Sequence, residues 1–300
     1  MDLKFLSRDH FKNMQPEGYE KGWLISGTTK CDILQDDIFS TSIENTSWST
    51  EIEAIHEVPT KNGWIDVYER KRVLQTAQKI ISNRANSLIM EFGASSGYMI
   101  EEMQEMFPNN VFIATDLMNE GLKQSFKKAP NILHLRCDIL DAPFTDSSID
   151  FIYSLNVLEH IDNDKKAISE CYRCVKPGGY CLFVVPRGDS LYDYFDEMLF
   201  HKRRYAKDEL KKKCIDSGFT IKEDFHYAWL CYPLFWLKKK WNKFVGKRLS
   251  QEEKIERVKA DIDAGMSSRL AIGMMYIENL LSKHLSPSFG VREFILCLKE

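Results

Sequence analysis

Apolar and polar positions change rhythm along this chain. Up to about residue 60 it is rich in Thr, Ser, Asn and acids and only weakly periodic, which predicts an irregular N-terminal arm or lid over 1–60. From Asp66 the spacing turns helical, with Val67, Leu74, Ala77, Ile80 and Ile81 on one side. Short apolar runs and helical stretches then alternate. Strands are expected over 87–92, 111–115, 132–136, 149–154 and 180–185, and helices over 98–107, 122–128 and 165–175. Pro177, Gly178 and Gly179 are read as the stop of the last helix, and Pro186 as the end of the last strand.

Alternating strands and helices imply βαβ units and a parallel sheet covered on both faces. Right-handed crossovers bring all strand C-terminal ends to one rim, and ligands bind in the crevice outside it. Chemistry is therefore sought just after each strand.

Composition narrows the picture. The 300 residues are 44% hydrophobic and 28% charged, enough for a sizeable core and ordinary for a globular protein. A net charge of −3 gives no sign of a nucleic-acid coat, and no nucleic-acid partner is expected. Eight scattered cysteines without framework spacing read as reduced thiols. The start MDLKFLSRDHFKN lacks an apolar signal region, so a cytoplasmic protein is expected. Cys171 and Cys174 form a C-x-x-C without a second pair; helical core packing is the reading, and no metal is expected.

The rim supplies three features. After the first strand of the alternation comes Glu91-Phe92-Gly93-Ala94-Ser95-Ser96-Gly97, a glycine turn opening a helix, where backbone can approach a ligand closely. Its glycine spacing fits the dinucleotide fingerprint poorly. Asp116 ends the next strand, nineteen residues past Gly97, suited to ribose hydroxyls or to a helix cap. Asp138 and Ile139 follow the third, suited to an adenine amine and ring or to a plain turn.

With these residues in place, 88–185 resembles the class I S-adenosylmethionine-dependent methyltransferases, in particular the small-molecule branch called type 11. The stretch Glu91 to Gly97 is similar to that family's acid-x-Gly-x-Gly-x-Gly motif, and Ala114-Thr115-Asp116 to its second. Asp150 to Ser154 with Val157-Leu158-Glu159-His160-Ile161 resembles the fourth-strand motif. Val175-Lys176-Pro177-Gly178-Gly179, a strand and Pro186 is the most specific match. Looser likeness runs through His201 to Tyr205, Glu209-Leu210 and Gly218-Phe219, and returns at 286–300.

The resemblance implies a Rossmann-like α/β fold. Its seven-stranded, mostly parallel sheet has an antiparallel seventh strand, helices on both faces and a helical insert, 228–285, between strands 6 and 7. The methyltransferase domain would span 61–300. The cofactor would be S-adenosylmethionine. Glu91 would reach its amino group through water, and Gly93, Ala94 and Gly97 would allow approach to its methionine portion. Asp116 would bind the ribose, Leu117 would flank the adenine, Asp138 and Ile139 would bind it, and Asn156 would offer a backbone carbonyl. Ser95 departs from the family pattern by replacing the middle glycine, which keeps a non-catalytic cofactor-binding module open as an alternative; a nicotinamide oxidoreductase is the other. Methyl transfer needs a general base only if the acceptor still carries its proton. His160 and His201, with Tyr205 behind them, are the candidates; the competing readings are a packed turn for His160 and a surface position for His201.

Residues 225–251 hold no acid. Trp236, Leu237, Trp241, Phe244 and Val245 lie among Lys238, Lys239, Lys240, Lys243, Lys247 and Arg248. This reads either as a helix over 234–249 touching the inner membrane face or as a core-covering helix with a solvated outer side. A second insert helix is expected over 266–285, with Leu270, Met274, Met275, Ile277, Leu280 and Leu281 forming a face for the acceptor or for a homodimer. The expected acceptor is a small or lipid-linked molecule.

Overall fold

A computed structural model describes residues 31–33, 38–41, 63–82, 86–266, 268–282, 284–285 and 287–300. The elements, numbered in chain order, are β1 Cys31–Ile33, β2 Phe39–Thr41, α1 Trp64–Ile81, β3 Leu88–Phe92, α2 Tyr98–Met106, β4 Val111–Asp116 and α3 Asn119–Lys128. Then follow β5 Leu133–Arg136, β6 Ile149–Leu155, α4 Asp164–Cys174, β7 Val175–Pro186, α5 Tyr194–Met198, α6 Glu209–Asp216 and β8 Thr220–Tyr227. Three insert helices, α7 Tyr232–Val245, α8 Gln251–Met266 and α9 Arg269–Leu281, precede β9 Arg292–Leu298.

The strands form one sheet in the order β1-β2-β5-β4-β3-β6-β7-β9-β8. Strands β2 through β7 pair in parallel, and β9 runs antiparallel between β7 and β8. Within it lie the seven strands that the sequence implies, with the last antiparallel. All five residues of β3 are buried, as expected of a strand covered on both faces. One core packs Met90, Ile113, Ile152, Phe183 and Ile295 against α4 and α6. The other packs Ile89, Phe112, Phe151, Leu182 and Phe294 against α1 and α2.

Three features go beyond the sequence reading. Most of the arm expected over 1–60 lies outside the described residues, but β1 and β2 fall within it and extend the sheet to nine strands, β2 pairing in parallel with β5. Pro177-Gly178-Gly179 lies inside β7, where the register with β6 shifts between Ile149 and Phe151. The turn chemistry therefore makes a bulge in a strand that has already begun. The insert holds three helices where two were expected. Cys171 and Cys174 are fully buried on α4, packed in the core as expected.

Helix α7 is the core-covering alternative on one side and exposed on the other. Lys239 is 3% exposed and bonds Asp193 at 2.7 Å and Asp196 at 2.6 Å. Lys238 pairs with Asp261, and Lys243 bonds the Ser190 carbonyl. Leu234, Trp236, Leu237, Trp241 and Phe244 are exposed. Among the described residues no helix is long and apolar enough to cross a membrane.

The insert is fastened to the sheet by Glu278 on α9. This carboxylate is 1% exposed and accepts from Ala228 N at 2.6 Å and Leu230 N at 2.9 Å. Ala228 follows β8 with φ 57°, a left-handed conformation that alanine adopts only under restraint. Glu278→Ala strands two backbone donors and is expected to destabilise the fold by about 2–4 kcal/mol. Urea unfolding of both proteins measures it; equal midpoints would show that α9 is fastened elsewhere.

Candidate active site

A cavity of about 780 Å³ opens at the C-terminal rim of the sheet. That size is within the range of small-molecule and cofactor pockets. Its wall is built by the turns after β3, β4, β5 and β6, closed on one side by α1 and on the other by α5, α7 and α9.

The turn after β3 is shaped by conformations that side chains resist. Gly93 has φ 79°, and a Cβ there would stand 2.3 Å from Val157 Cγ2. Ser95 has φ 42°. Its backbone is held by Asp116, whose Oδ2 accepts from Ser95 N and Oδ1 from Met118 N, both at 2.8 Å. A carboxylate offers about four acceptor positions. Asp116 therefore anchors both loops and keeps capacity toward the cavity. Asp138 accepts from Leu140 N at 2.8 Å through Oδ1, beside buried Ile139. Glu91 is buried and accepts from the Tyr153 hydroxyl at 3.2 Å; burial, and after it the repulsion of Asp116, hold its carboxyl well above the usual range.

Glu91, Gly93, Ala94, Ser95, Asp116, Leu117, Asp138, Ile139, Asn156, His160 and His201 line this one cavity. Two residues named from sequence stand apart from its lining. Gly97 caps α2 with φ 77°, and a Cβ there would meet Ser125 Oγ at 2.3 Å. Tyr205 is fully buried, and its hydroxyl donates to Asp164 at 2.7 Å. That bond, with Arg203 and Lys213 also on Asp164, commits the phenol to a structural pair.

Other side chains enter unforeseen. Glu69 of α1 accepts from Asn156 Nδ2 at 2.7 Å and from the Tyr227 hydroxyl. Burial pushes its carboxyl up to about 7, against the pull of Arg292. Asn156 Oδ1 is buried without a hydrogen-bond partner. Glu159 is 0% exposed, and neither carboxyl oxygen has a hydrogen-bond partner. Burial pushes it up to about 8, again against Arg292.

His201 is buried, not a surface residue; its Nδ1 meets Asp196 Oδ1 at 3.1 Å. Burial lowers its pKa despite that carboxylate. Asp196 also takes Arg204 at 2.8 Å and Lys239 at 2.6 Å. The His160 and His201 rings stand edge to face, 4.8 Å between centroids. One donor atom from each of Glu159, His160 and His201 lies within 4.8 Å of the others, a grouping able to share a proton or hold a cation.

A rim cavity walled by a glycine turn and two successive strand-end aspartates, on this strand order, defines the class I S-adenosylmethionine-dependent methyltransferase fold. Residues 90–183 match the family described as a methyltransferase domain. A probable S-adenosylmethionine-dependent methyltransferase of Mycolicibacterium smegmatis is 24% identical over 158 residues, covering 51% of this chain and 61% of that protein. Malonyl-(acyl-carrier protein) O-methyltransferase 1 of Coxiella burnetii is 28% identical over 109 residues, 36% of this chain and 37% of that one. The solved structure of Haemonchus contortus phosphoethanolamine N-methyltransferase 2 in complex with S-adenosyl-L-methionine superposes with a TM-score of 0.56 at 14% identity, covering 85% of this chain and 58% of that one. The match thus spans less than two thirds of each of these proteins. The chain has the fold of the class I S-adenosylmethionine-dependent methyltransferases, with residues 90–183 matching the methyltransferase-domain family.

The two raised carboxyls give the cavity a pH signature. Glu69 and Glu159 hold their protons more tightly in the folded chain than in the unfolded one, whose glutamates titrate near 4.5. The stability they contribute is complete below about pH 4.5 and is lost as pH rises through about 7 and 8. Unfolding free energy measured in urea is expected to fall from pH 6 to pH 8.5, and Glu159→Gln to flatten that fall. A wild-type slope unchanged in the variant would mean that Glu159 is ionised throughout.

Proposed function

We propose that the chain binds S-adenosylmethionine along the rim and transfers its methyl group to a small or lipid-linked acceptor in the half of the cavity walled by the insert. The carrying observation is the Asp116 carboxylate, which locks the glycine turn while keeping acceptor capacity toward the cavity. The residues fit the cofactor. Asp116 suits the ribose diol, Asp138 and Ile139 suit the adenine, and the unpartnered Asn156 Oδ1 suits the ammonium of the methionine portion. Gly93 lets the turn pack against Val157 at φ 79°, which no side chain would allow.

When bound, the cofactor supplies a methyl group on a sulfonium that is already a good leaving group. The chain's part is alignment and exclusion of water. Asp116, Asp138, Ile139 and Asn156 would hold the cofactor, leaving the chain to line up the acceptor's lone pair with the methyl carbon. Where the acceptor carries a proton, His201 would take it, a role supported by its contact through Nδ1 with Asp196 and by the burial that lowers its pKa. His160 is the alternative at the more open side.

The protein is expected to bind S-adenosylhomocysteine with a Kd on the order of micromolar. Asp116→Ala should weaken that by about tenfold or more, the loss of a charged hydrogen-bond acceptor. Calorimetry measures both; no heat and no thermal shift in the folded wild type would refute the reading.

The exposed side of α7 favours a lipid-linked acceptor over a freely soluble one. Trp236, Leu237, Trp241 and Phe244 stand outward, with Lys240 over Trp236 and Arg248 over Phe244. Aromatic and basic residues together suit an anionic headgroup layer. The protein should sediment with anionic vesicles at low salt and be released at high salt, and Trp241→Ser with Lys240→Glu should abolish sedimentation while leaving S-adenosylhomocysteine binding intact. Lys239 is unsuited to this test because it is structural. Wild-type protein that stays in the supernatant, or that self-associates through this face, would favour a soluble acceptor or a homodimer.

A further inference from the structure

On the sheet face served by α6, away from the cavity lining, three side chains converge that no part of the proposed reaction uses. Asp224 and His226 sit two residues apart on β8 and so share a face. Glu293 of β9 stands directly opposite His226 in the antiparallel register. One donor atom from each lies within 4.8 Å of the others.

What points to a ligand is the state of those atoms. Asp224 Oδ1, His226 Nε2 and Glu293 Oε2 are all buried without a hydrogen-bond partner. Glu293 itself is 1% exposed. One companion atom is fixed: Asp224 Oδ2 takes Lys211 Nζ at 3.0 Å. On His226 the atom turned to the cluster, Nε2, is the one without a partner. A carboxylate held by an outer donor is how ligating side chains are set.

The charges leave room for a cation. Arg187 Nε stands 3.8 Å from Glu293 Oε2, an ion pair without a hydrogen bond, and that Nε is itself unpartnered. Against Arg187 and Lys211 stand Asp224, Glu293 and Asp208, whose charge reaches both Glu293 and His226. Glu209, also close, is paired with Lys213.

We propose that Asp224, His226 and Glu293 form a binding site for a first-row divalent cation, with zinc as the best fit to one imidazole and two carboxylates. Zinc takes such ligands at about 2.0–2.2 Å, usually with four in all, so water would complete the shell. Two paired strands carry all three residues, so the backbone register already brings them to one place. The site ties β8 to β9. The next residue along β9, Arg292, points to the opposite face and lines the cavity, so the cation would brace the strand that carries it.

The test uses the full chain and zinc alone. Protein equilibrated with micromolar zinc, then passed through a desalting column, is expected to retain one equivalent by elemental analysis. Asp224→Asn and Glu293→Gln should each weaken zinc binding by about tenfold or more. Zinc should raise the melting temperature of chelator-treated wild type and leave that of Glu293→Gln unmoved. Asp224→Asn, at the more exposed edge, serves if Glu293→Gln fails to fold. Glu159→Gln with His160→Gln should leave the stoichiometry unchanged, which separates this cluster from the one in the cavity. No retained zinc, or retention lost only in the cavity variants, would overturn the proposal and leave Arg187, Lys211 and the three side chains as an ion-pair network.

Discussion

The Asp196 carboxylate lies at the base of the insert, 0% exposed, and accepts from His201, Arg204 and Lys239 at once. It also accepts from the backbone of Asp193, closing the capping box of α5. A buried carboxylate is tolerated only with such partners. Lys239 has Asp193 besides, and Arg204 the carbonyls of Arg187 and Val291. Lys239 reaches in from α7, Arg204 comes from the stretch after α5, and His201 faces the reaction side. One group therefore holds both α7 and the His201 ring. Loss of Asp196 would take the ion-pair partner from buried Arg204 and leave Lys239 with Asp193 alone, so its effect would spread beyond the histidine.

The second constraint is electrostatic. Glu69, Glu91, Glu159 and Asp116 all face one cavity, and burial raises every one of them. Arg292 is the buried cation that answers Glu69 and Glu159, and their charges raise its own pKa. A lining of this kind favours a ligand that brings positive charge, which suits both a sulfonium and an ammonium group.

The alternation of strands and helices was legible because fully buried parallel strands read as unbroken apolar runs, and the rim aspartates were legible because strand ends are where ligands meet such sheets. Residues joined only by long-range contact were not. Glu69 meets Asn156 across 87 positions, and Lys239 meets Asp196 across 43. Glu69 did leave a trace, an acid three residues from Asp66 and four from Val73 on the buried side of α1. Lys239 left none, since one inward lysine in a basic run looks like its neighbours. The partner of Tyr205 is hidden for the same reason: the Asp164 that accepts from its hydroxyl is 41 residues away.

The short pair β1 and β2 gives the sheet a boundary it would otherwise lack. Strand β5 would present its open backbone groups to any extended chain that met them. With β2 alongside Leu135 and Arg136, that role passes among the described residues to β1, three residues long and antiparallel to its neighbour. So brief an edge offers little template for another molecule.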